Sequence, residues 1–488
     1  LDLWGFHMRW IIAVFASLLL VAALPITSSA APEGSTATAD LKAWTADVPA
    51  EVVDEMREAG IDITAEEVLE SGEIRIEVIA TNKQLQPFRG PDVQFKKTKG
   101  QERVERTPDV NTGDSVFRPN DGPEGLEAEM VALAGANPDL VKLVDIGDTV
   151  QGRDIWALKV TKNANQRPDG TKPAVLYNSA QHAREWITPE MTRRLTRYYL
   201  DNYGSDAEIT ELVNNNELWF VWVANPDGYQ WTHEDQANRL WRKNLADNDG
   251  DGTITTADGV DLNRNFAYKW GYDNEGSSPN ITSQTYRGTS PMSEPETLAM
   301  DGLLEAVDFS FMVNYHSAAE LILYGVGWQV DTPSPDDVVQ IALAGDDANP
   351  AIPGYDPDQS AELYITNGAT TGHVHNVHGT LGYTPEMSTC QTISNKYPDD
   401  EWEAGDCQSG FNFPDDEALI EEEFQNNIPF ALDIARSAAD PSNPKSHLGN
   451  VAPEIVVDEF TQSNGTEQVV QINADRELGN VRMYYSIN

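Results

Sequence analysis

The sequence predicts an α/β fold, with a mixed, mostly parallel central sheet flanked by helices. A small α/β segment precedes it and a partial β domain follows. Two observations predict the central part. Short, continuously apolar runs recur at Ala174–Tyr177, Trp219–Val223 and Phe309–Tyr315, too unbroken for strands with one wetted face. Helical periodicity lies between them, and strands that alternate with helices assemble into largely parallel sheets. Material for a core is ample: the chain has 488 residues, 40 % of them hydrophobic, with 12 Trp, 16 Tyr and 14 Phe, which excludes a disordered chain.

Residues 1–30 read as a secretory signal peptide. Arg9 precedes the apolar run Trp10–Leu24, Pro25 breaks it, and Ser28-Ser29-Ala30 offers small residues for cleavage. The run is short for a membrane span. Met8 is a natural start, with Leu1–His7 an upstream extension, and the absence of an Arg pair favours the general secretory route. The expected product is secreted, free of membrane after cleavage, and monomeric. Residues 31–121 form an acidic segment and linker. Val52, Val53 and Met56 share one helical face that stops at Gly60, Ile74, Ile76 and Val78 alternate with Arg75 and Glu77 as a strand, and Lys96–Asp121 is polar linker.

Residues 122–440 carry most of the aromatic residues. Thr188 and Pro189 predict a helix N-cap and first turn, with Met191, Leu195, Tyr198 and Tyr199 on the apolar face. Asn225-Pro226-Asp227-Gly228 reads as a turn, and Ser293 with Glu296 as a capping box ahead of Leu298–Ala306. Residues 441–488 contain strand-like pieces at Glu454–Val457, Gln468–Ile472 and Val481–Ser486, a partial β domain.

Charge excludes whole classes of partner. With 79 acidic and 33 basic side chains the net charge is −46, so nucleic acid and anionic membrane are repelled. Only 2 Cys exclude a disulfide scaffold, a Cys-rich zinc finger or an iron–sulfur cluster. Export permits a Cys390–Cys407 disulfide.

The chemistry gathers where strands end, the usual ligand site of open α/β sheets. His182 and Glu185 follow the run Ala174–Tyr177, and His316 follows Phe309–Tyr315. Imidazole and carboxylate suit zinc, and three protein ligands leave a position for water. By itself His-x-x-Glu also fits a surface histidine beside a salt-bridging glutamate.

Further motifs occur in order: Asn225-Pro226-Asp227-Gly228-Tyr229, Arg239-Leu240-Trp241-Arg242-Lys243-Asn244, Gly259-Val260-Asp261-Leu262-Asn263-Arg264-Asn265-Phe266 and Ser293-Glu294-Pro295-Glu296-Thr297. With His182–Trp186 and His316-Ser317 this set resembles the zinc carboxypeptidase family, in the branch typified by carboxypeptidases A and T, over about Gly122 to Ala438. The resemblance implies one catalytic Zn²⁺ on His182, Glu185 and His316. It implies Arg242 as the group that polarises the scissile carbonyl, and Asn263 and Arg264 as the clamp for a substrate's C-terminal carboxylate. Arg184 serves a further subsite, Tyr364 closes over the substrate, and Glu386 is the general base acting on a zinc-bound water; 22 residues separate Tyr364 from Glu386, as in the family. Ungapped spacing puts Thr371 at the floor of the specificity pocket, which implies a neutral terminal side chain. Residues 31–121 stand where the family has a pro-segment. The implied partners are peptide and protein C-termini.

This sequence departs from the family at three places. Ala318 replaces a Tyr two residues beyond the third ligand, and Gly372-His373 replaces an Asp-Trp or Asp-Tyr pair. The third is the loop His373-x-His375-x-x-His378, which binds a second metal or packs around the pocket; the absence of a neighbouring carboxylate favours packing. Two other functions stay open. One is a peptidoglycan stem-peptide amidase or endopeptidase on the same fold. The other is a non-catalytic peptide-binding module, against which retention of Glu386 argues.

A second constellation is separate from the zinc motifs. Asp247, Asp249, Asp251 and Asp258 stand at the first, third, fifth and last positions of an EF-hand-type loop, with Gly252 and Ile254 at the sixth and eighth and Thr253 at the backbone-carbonyl position. The pattern predicts structural Ca²⁺; a solvated acidic loop is the alternative.

Overall fold

The computed structural model describes residues 40–98 and 116–449, apart from 92, 331, 335, 397–402 and 408, together with short strands between 455 and 474. The signal peptide, most of the linker and the strand expected at Val481–Ser486 lie outside the described residues.

The central sheet runs in the order Asp356–Gln359, Leu321–Tyr324, Leu381–Met387, Phe309–Asn314, Ala174–Asn178, Glu217–Val221, Asp154–Val160, Val141–Asp148. Four adjacent strands, from Leu381–Met387 to Glu217–Val221, are parallel. The strands Asp154–Val160 and Val141–Asp148 close one side antiparallel, and Leu321–Tyr324 lies antiparallel to Leu381–Met387 on the other. The apolar runs became these inner strands because helices cover both faces. On one face Tyr177, Phe220 and Phe311 pack against Leu195 and Tyr199 of Ile187–Asn202 and against Phe430 of Glu417–Ser437. On the other, Leu176, Trp219 and Met312 meet Met300 and Leu303 of Pro295–Ala306. Each fully buried large apolar side chain contributes about 1.5–3 kcal/mol, so the sheet is a rigid floor beneath the loops at its edge.

The N-terminal module is a four-stranded antiparallel sheet carrying the helix Ala50–Glu58, whose Val53 and Met56 are buried as expected. The expected strand Ile74–Ala80 is its centre, flanked by Lys42–Val48 and Asp62–Val68. Lys96–Lys97, expected as linker, pairs with Trp44 and Thr45 as an edge strand. Leu41, Ala43 and Ile79 pack against Leu240, Trp241 and Leu245 of the larger domain. Val116 and Phe117, also expected as linker, are buried in the main core.

Three local expectations are corrected. The helix begins at Ile187, so Thr188 lies inside it; its hydroxyl accepts the Ala180 amide (3.0 Å) and donates to the Glu185 carbonyl (2.9 Å). That bond steadies Ala180, whose φ of 48° is rare for a side chain with a Cβ. Asn225-Pro226-Asp227-Gly228 opens the helix Pro226–Glu234, with the Asn225 side chain accepting the Gly228 amide. Ser293 and Glu296 make no capping box, because tertiary partners take both. Ser293 accepts from Asn265, and Glu296 accepts from Val150 and Asn244.

Cys390 and Cys407 form a disulfide, with Cα atoms 5.9 Å apart and a sequence separation of 17. Replacing both by serine should lower unfolding stability by about 3 kcal/mol through lost loop-closure entropy. Urea midpoints of the two proteins check this; equal midpoints would show that the bridge contributes nothing.

Candidate active site

Parallel pairing brings the carboxyl ends of the strands Ala174–Asn178 and Phe309–Asn314 side by side, with Asn178 opposite Asn314. His182 and His316 leave from those ends, and His316 pairs with Glu386 on Leu381–Met387. The sheet therefore converges three residues that are up to 204 positions apart, and His182, Glu185 and His316 are all buried. His182 Nδ1 lies 2.8 Å from Glu185 Oε1, and His316 Nδ1 lies 3.0 Å from both His182 Nδ1 and Glu185 Oε2.

The donor set fits a zinc ion. Asp261 Oδ1 lies 3.1 Å from His182 Nε2, so that nitrogen carries the proton and the Nδ1 lone pair faces the cluster. Burial pushes the His182 imidazolium down, which favours the neutral, ligating form. Burial also acts on Glu185 and Asp261, but their charged and hydrogen-bonding neighbours overcome it. His182 and His316 hold Glu185 below its ordinary value, and Arg242 holds Asp261 well below. At His316 burial is outweighed by the Glu185 carboxylate, and the pKa rises.

Asp261 is the residue that motif reading left without a role. Its Oδ2 accepts both Arg242 Nε (3.1 Å) and Arg242 Nη2 (2.9 Å), and its Oδ1 accepts the Asn263 amide (2.9 Å). One buried carboxylate thus joins the metal-ligand loop, Arg242 and the start of the clamp. Its signal was present, since Asp before Leu262-Asn263-Arg264 is a favoured N-cap.

Asn263 Oδ1 accepts the Thr370 amide (2.9 Å) and hydroxyl (3.0 Å). Arg264 is buried, its Nε has no hydrogen-bond partner, and no carboxylate among the described residues pairs with it. Its guanidinium lies 5.7 Å from the ring of Tyr364, which is 49 % exposed. Gly368, φ 68°, is required here, because a Cβ would stand 2.3 Å from the Arg264 carbonyl. Thr371 lines a cavity beside this segment. Arg184 stacks on Phe411 at 4.1 Å and pairs with Asp62 of the N-terminal module, a partner that no sequence signal marks.

His373, His375 and His378 lie on the helix Thr370–His378, which corrects the expected loop. The carboxylates that the local sequence lacks come from elsewhere. Asp301 Oδ1 is 2.8 Å from both His373 Nε2 and His378 Nε2, and Asp336 is 2.7 Å from His375 Nε2. His373 Nδ1 accepts the Tyr268 amide (3.3 Å), so its Nε2 carries the hydrogen that Asp301 accepts. A ligating imidazole would donate at that second nitrogen. Asp301, His373 and His378 thus bring three potential ligand atoms within 4.8 Å of one another, and the Tyr268 bond to His373 favours packing and hydrogen bonding over ligation.

In the acidic loop, oxygens of Asp247, Asp249 and Asp258 lie within 4.8 Å of one another. Asp247 accepts the Gly250 and Gly252 amides, Asp251 accepts the Thr253 amide, and Asp258 is buried and accepts those of Asn248 and Thr255.

A buried nitrogen–carboxylate donor set at the carboxyl edge of an α/β sheet, with guanidinium groups beside it, has the make-up of a metal-binding site. Comparison with known proteins makes the class specific. The chain belongs to the zinc carboxypeptidase family, whose profile matches residues 126–427. It is 30 % identical over 273 residues to a zinc carboxypeptidase of Saccharothrix mutabilis subsp. capreolus, covering 54 % of this chain and 61 % of that one. It is 32 % identical over 256 residues to carboxypeptidase A4 of Mus musculus, covering 51 % and 57 %. The chain thus spans less than two thirds of these relatives. The fold matches the crystal structure of carboxypeptidase A from Helicoverpa armigera with a TM-score of 0.60 at 23 % identity, over 83 % of this chain and 98 % of that one.

Asp261→Asn should loosen both His182 and Arg242. We expect zinc affinity to fall about 10–100-fold, read by competition with a chromogenic chelator. Unchanged affinity would show that Asp261 does not position the ligand.

Proposed function

We propose that the chain is a secreted zinc metallocarboxypeptidase that removes residues from the free C-termini of peptides and proteins, and that it is made as a precursor. One observation carries the reading: a buried His₂Glu donor set stands near Arg264, a buried arginine without a carboxylate partner among the described residues of a chain whose net charge is −46. An unpaired buried cation is costly, and a substrate carboxylate relieves that cost.

His182, Glu185 and His316 would hold the ion. Zinc, when bound, acts as a Lewis acid and lowers the pKa of a water ligand to about 7. The chain's own residues do the rest. Glu386 accepts a proton from the attacking water and returns it to the leaving amine; burial pushes its carboxyl up to about 7, near the range in which a base both takes and gives a proton. Arg242, oriented by Asp261, faces the carbonyl oxygen as charge develops, a contribution of about 3–4 kcal/mol for one such donor. Asn263 and Arg264 bind the terminal carboxylate, whose planar shape matches a guanidinium fork and so selects chain ends over internal bonds. Arg184 binds the peptide further along, Tyr364 closes over the end residue, and Thr371 lines the pocket.

Residues 31–121 are the pro-segment, 122–440 the catalytic domain, and 441–488 a partial β domain. The Asp62–Arg184 ion pair and the packing of Leu41 and Ile79 on Leu240 and Trp241 support the precursor reading, because the N-terminal module already pairs with the arginine proposed to meet the peptide. Export rests on residues 1–30; no helix among the described residues is long and apolar enough to cross a membrane.

Mass spectrometry of free and C-terminally amidated peptides tests this, on the intact chain and on the chain clipped in place. Stepwise loss from free ends only, faster after clipping and abolished by a zinc chelator, is expected. Glu386→Gln should keep zinc and lose turnover. No trimming by the clipped, zinc-loaded protein would move the assignment to peptidoglycan stem peptides.

Calcium is part of the same proposal. Asp247, Asp249, Asp251, Thr253 and Asp258 hold it in the loop that joins Arg242 to Asn263 and Arg264, and so stiffen the substrate side of the site. Removing calcium should lower the melting temperature and activity while zinc stays bound. A melting temperature that does not move across a calcium titration counts against it.

A further inference from the structure

A cavity lies beside Asn263 and Arg264. Tyr268 and Lys269 line it from the segment that follows the clamp, Thr366 and Thr371 from the segment that carries Tyr364, and Gly327 and Trp328 from a third. The first two segments are tied together. The Gly368 amide donates to the Tyr268 carbonyl (3.2 Å), and the Phe266 amide donates to the Gly368 carbonyl (2.9 Å). If Arg264 holds a terminal carboxylate, as proposed above, this recess is beside the last side chain.

Lys269 gives the recess its charge. Its ammonium stands 3.7 Å from the centre of the Trp328 ring and 4.9 Å from that of Tyr272. The residue is half-buried, and the lysine–carboxylate ion pairs among the described residues are those of Lys42, Lys142 and Lys159. Other lysines contrast with it: Lys142 and Lys159 share Asp169, and Lys42 meets Asp40. Acidic side chains outnumber basic ones 79 to 33. Among the described residues Lys172 and Lys243 also lack a carboxylate, but hydroxyl and carbonyl oxygens accept from their ammonium groups, whereas Lys269 meets aromatic faces. Aromatic faces hold the ammonium in position but cannot neutralise it.

We propose that Lys269 determines the specificity of this pocket and that it selects C-terminal residues with acidic side chains, glutamate and aspartate. This differs from the neutral preference that Thr371 alone implies. The threonine hydroxyl carries no charge, while the ammonium supplies a charge-assisted hydrogen bond to a side-chain carboxylate. The chain's net negative charge opposes an acidic substrate at long range, but salt screens that beyond about 8 Å, whereas a pair formed inside the recess is screened much less.

The test uses the full chain, loaded with zinc and clipped in place. kcat/KM is measured on blocked peptides that differ only in the last residue: Glu, Leu or Lys. We expect Glu to exceed Leu by about tenfold or more, with Lys poorest. Lys269→Met should collapse the Glu:Leu ratio by a similar factor, and Lys269→Arg should preserve it. A wild-type preference for Leu or Lys, or a ratio unmoved by Lys269→Met, overturns the pocket assignment and leaves the carboxypeptidase reading standing. Failure to cut any free end overturns that reading instead. Calorimetric affinities of Glu386→Gln for the same peptides then decide the pocket alone: tighter binding of the Glu peptide supports it, and equal or weaker binding overturns it.

Discussion

A single buried carboxylate, Asp261, governs the geometry of the site. It lies against the outer nitrogen of His182, holds two guanidinium nitrogens of Arg242 and caps the turn that starts the clamp. A lone carboxylate at that depth would be protonated; Arg242 keeps it charged. Arg242 in turn hydrogen-bonds to no other carboxylate among the described residues, and Glu185, 3.9 Å away, is its more distant ion-pair partner. Breaking a buried pair of this kind costs about 3–5 kcal/mol, so His182, Arg242 and the turn Leu262–Arg264 hold together or loosen together.

The sheet makes that convergence possible. Parallel strands send their carboxyl ends to one edge, and tightly packed helices on both faces leave that edge as the place where backbone departs from regular pairing. The loops there can carry polar groups, because the rigid floor bears the stability. Charge balance has a similar logic. Several buried arginines are matched: Arg193 meets Glu129 and Glu190, and Arg194 meets Glu417 and Glu421, whereas the buried Lys243 donates to the Ile281 carbonyl. Arg184 is matched by Asp62, from the segment proposed to be removed. Arg264 and Lys269 lack carboxylate partners among the described residues, and the segment 368–371 runs beside both.

Much of the fold was legible wherever an element's periodicity agreed with its burial. Val53 and Met56, the alternation at Ile74–Val78, and the apolar strands all read correctly. Capping signals failed at Thr188 and Ser293 because their side chains had stronger offers from distant groups, the strained Ala180 amide and Asn265. Edge strands such as Asp62–Val68 were missed because a mostly exposed strand has little apolar pattern to read. In the site, His182, Glu185 and His316 were legible as motif residues. The linking role of Asp261 was not, although its motif was quoted, because a bridge between three loops has no spacing of its own.

The sequence by itself determined the chemical inventory: which residues can bind a metal, act as a base or grip a carboxylate, and in what order the strands and helices deliver them. It did so because those choices depend on residue type and local period. Only the tertiary structure decided which groups meet. It brought Asp301 and Asp336 to histidines that have no carboxylate near them in the chain, set Asp62 against Arg184, and left Lys269 in the recess without an acidic partner among the described residues. The reason is physical: Coulomb and hydrogen-bond energies depend on separation in space and on burial, and neither follows from separation along the chain.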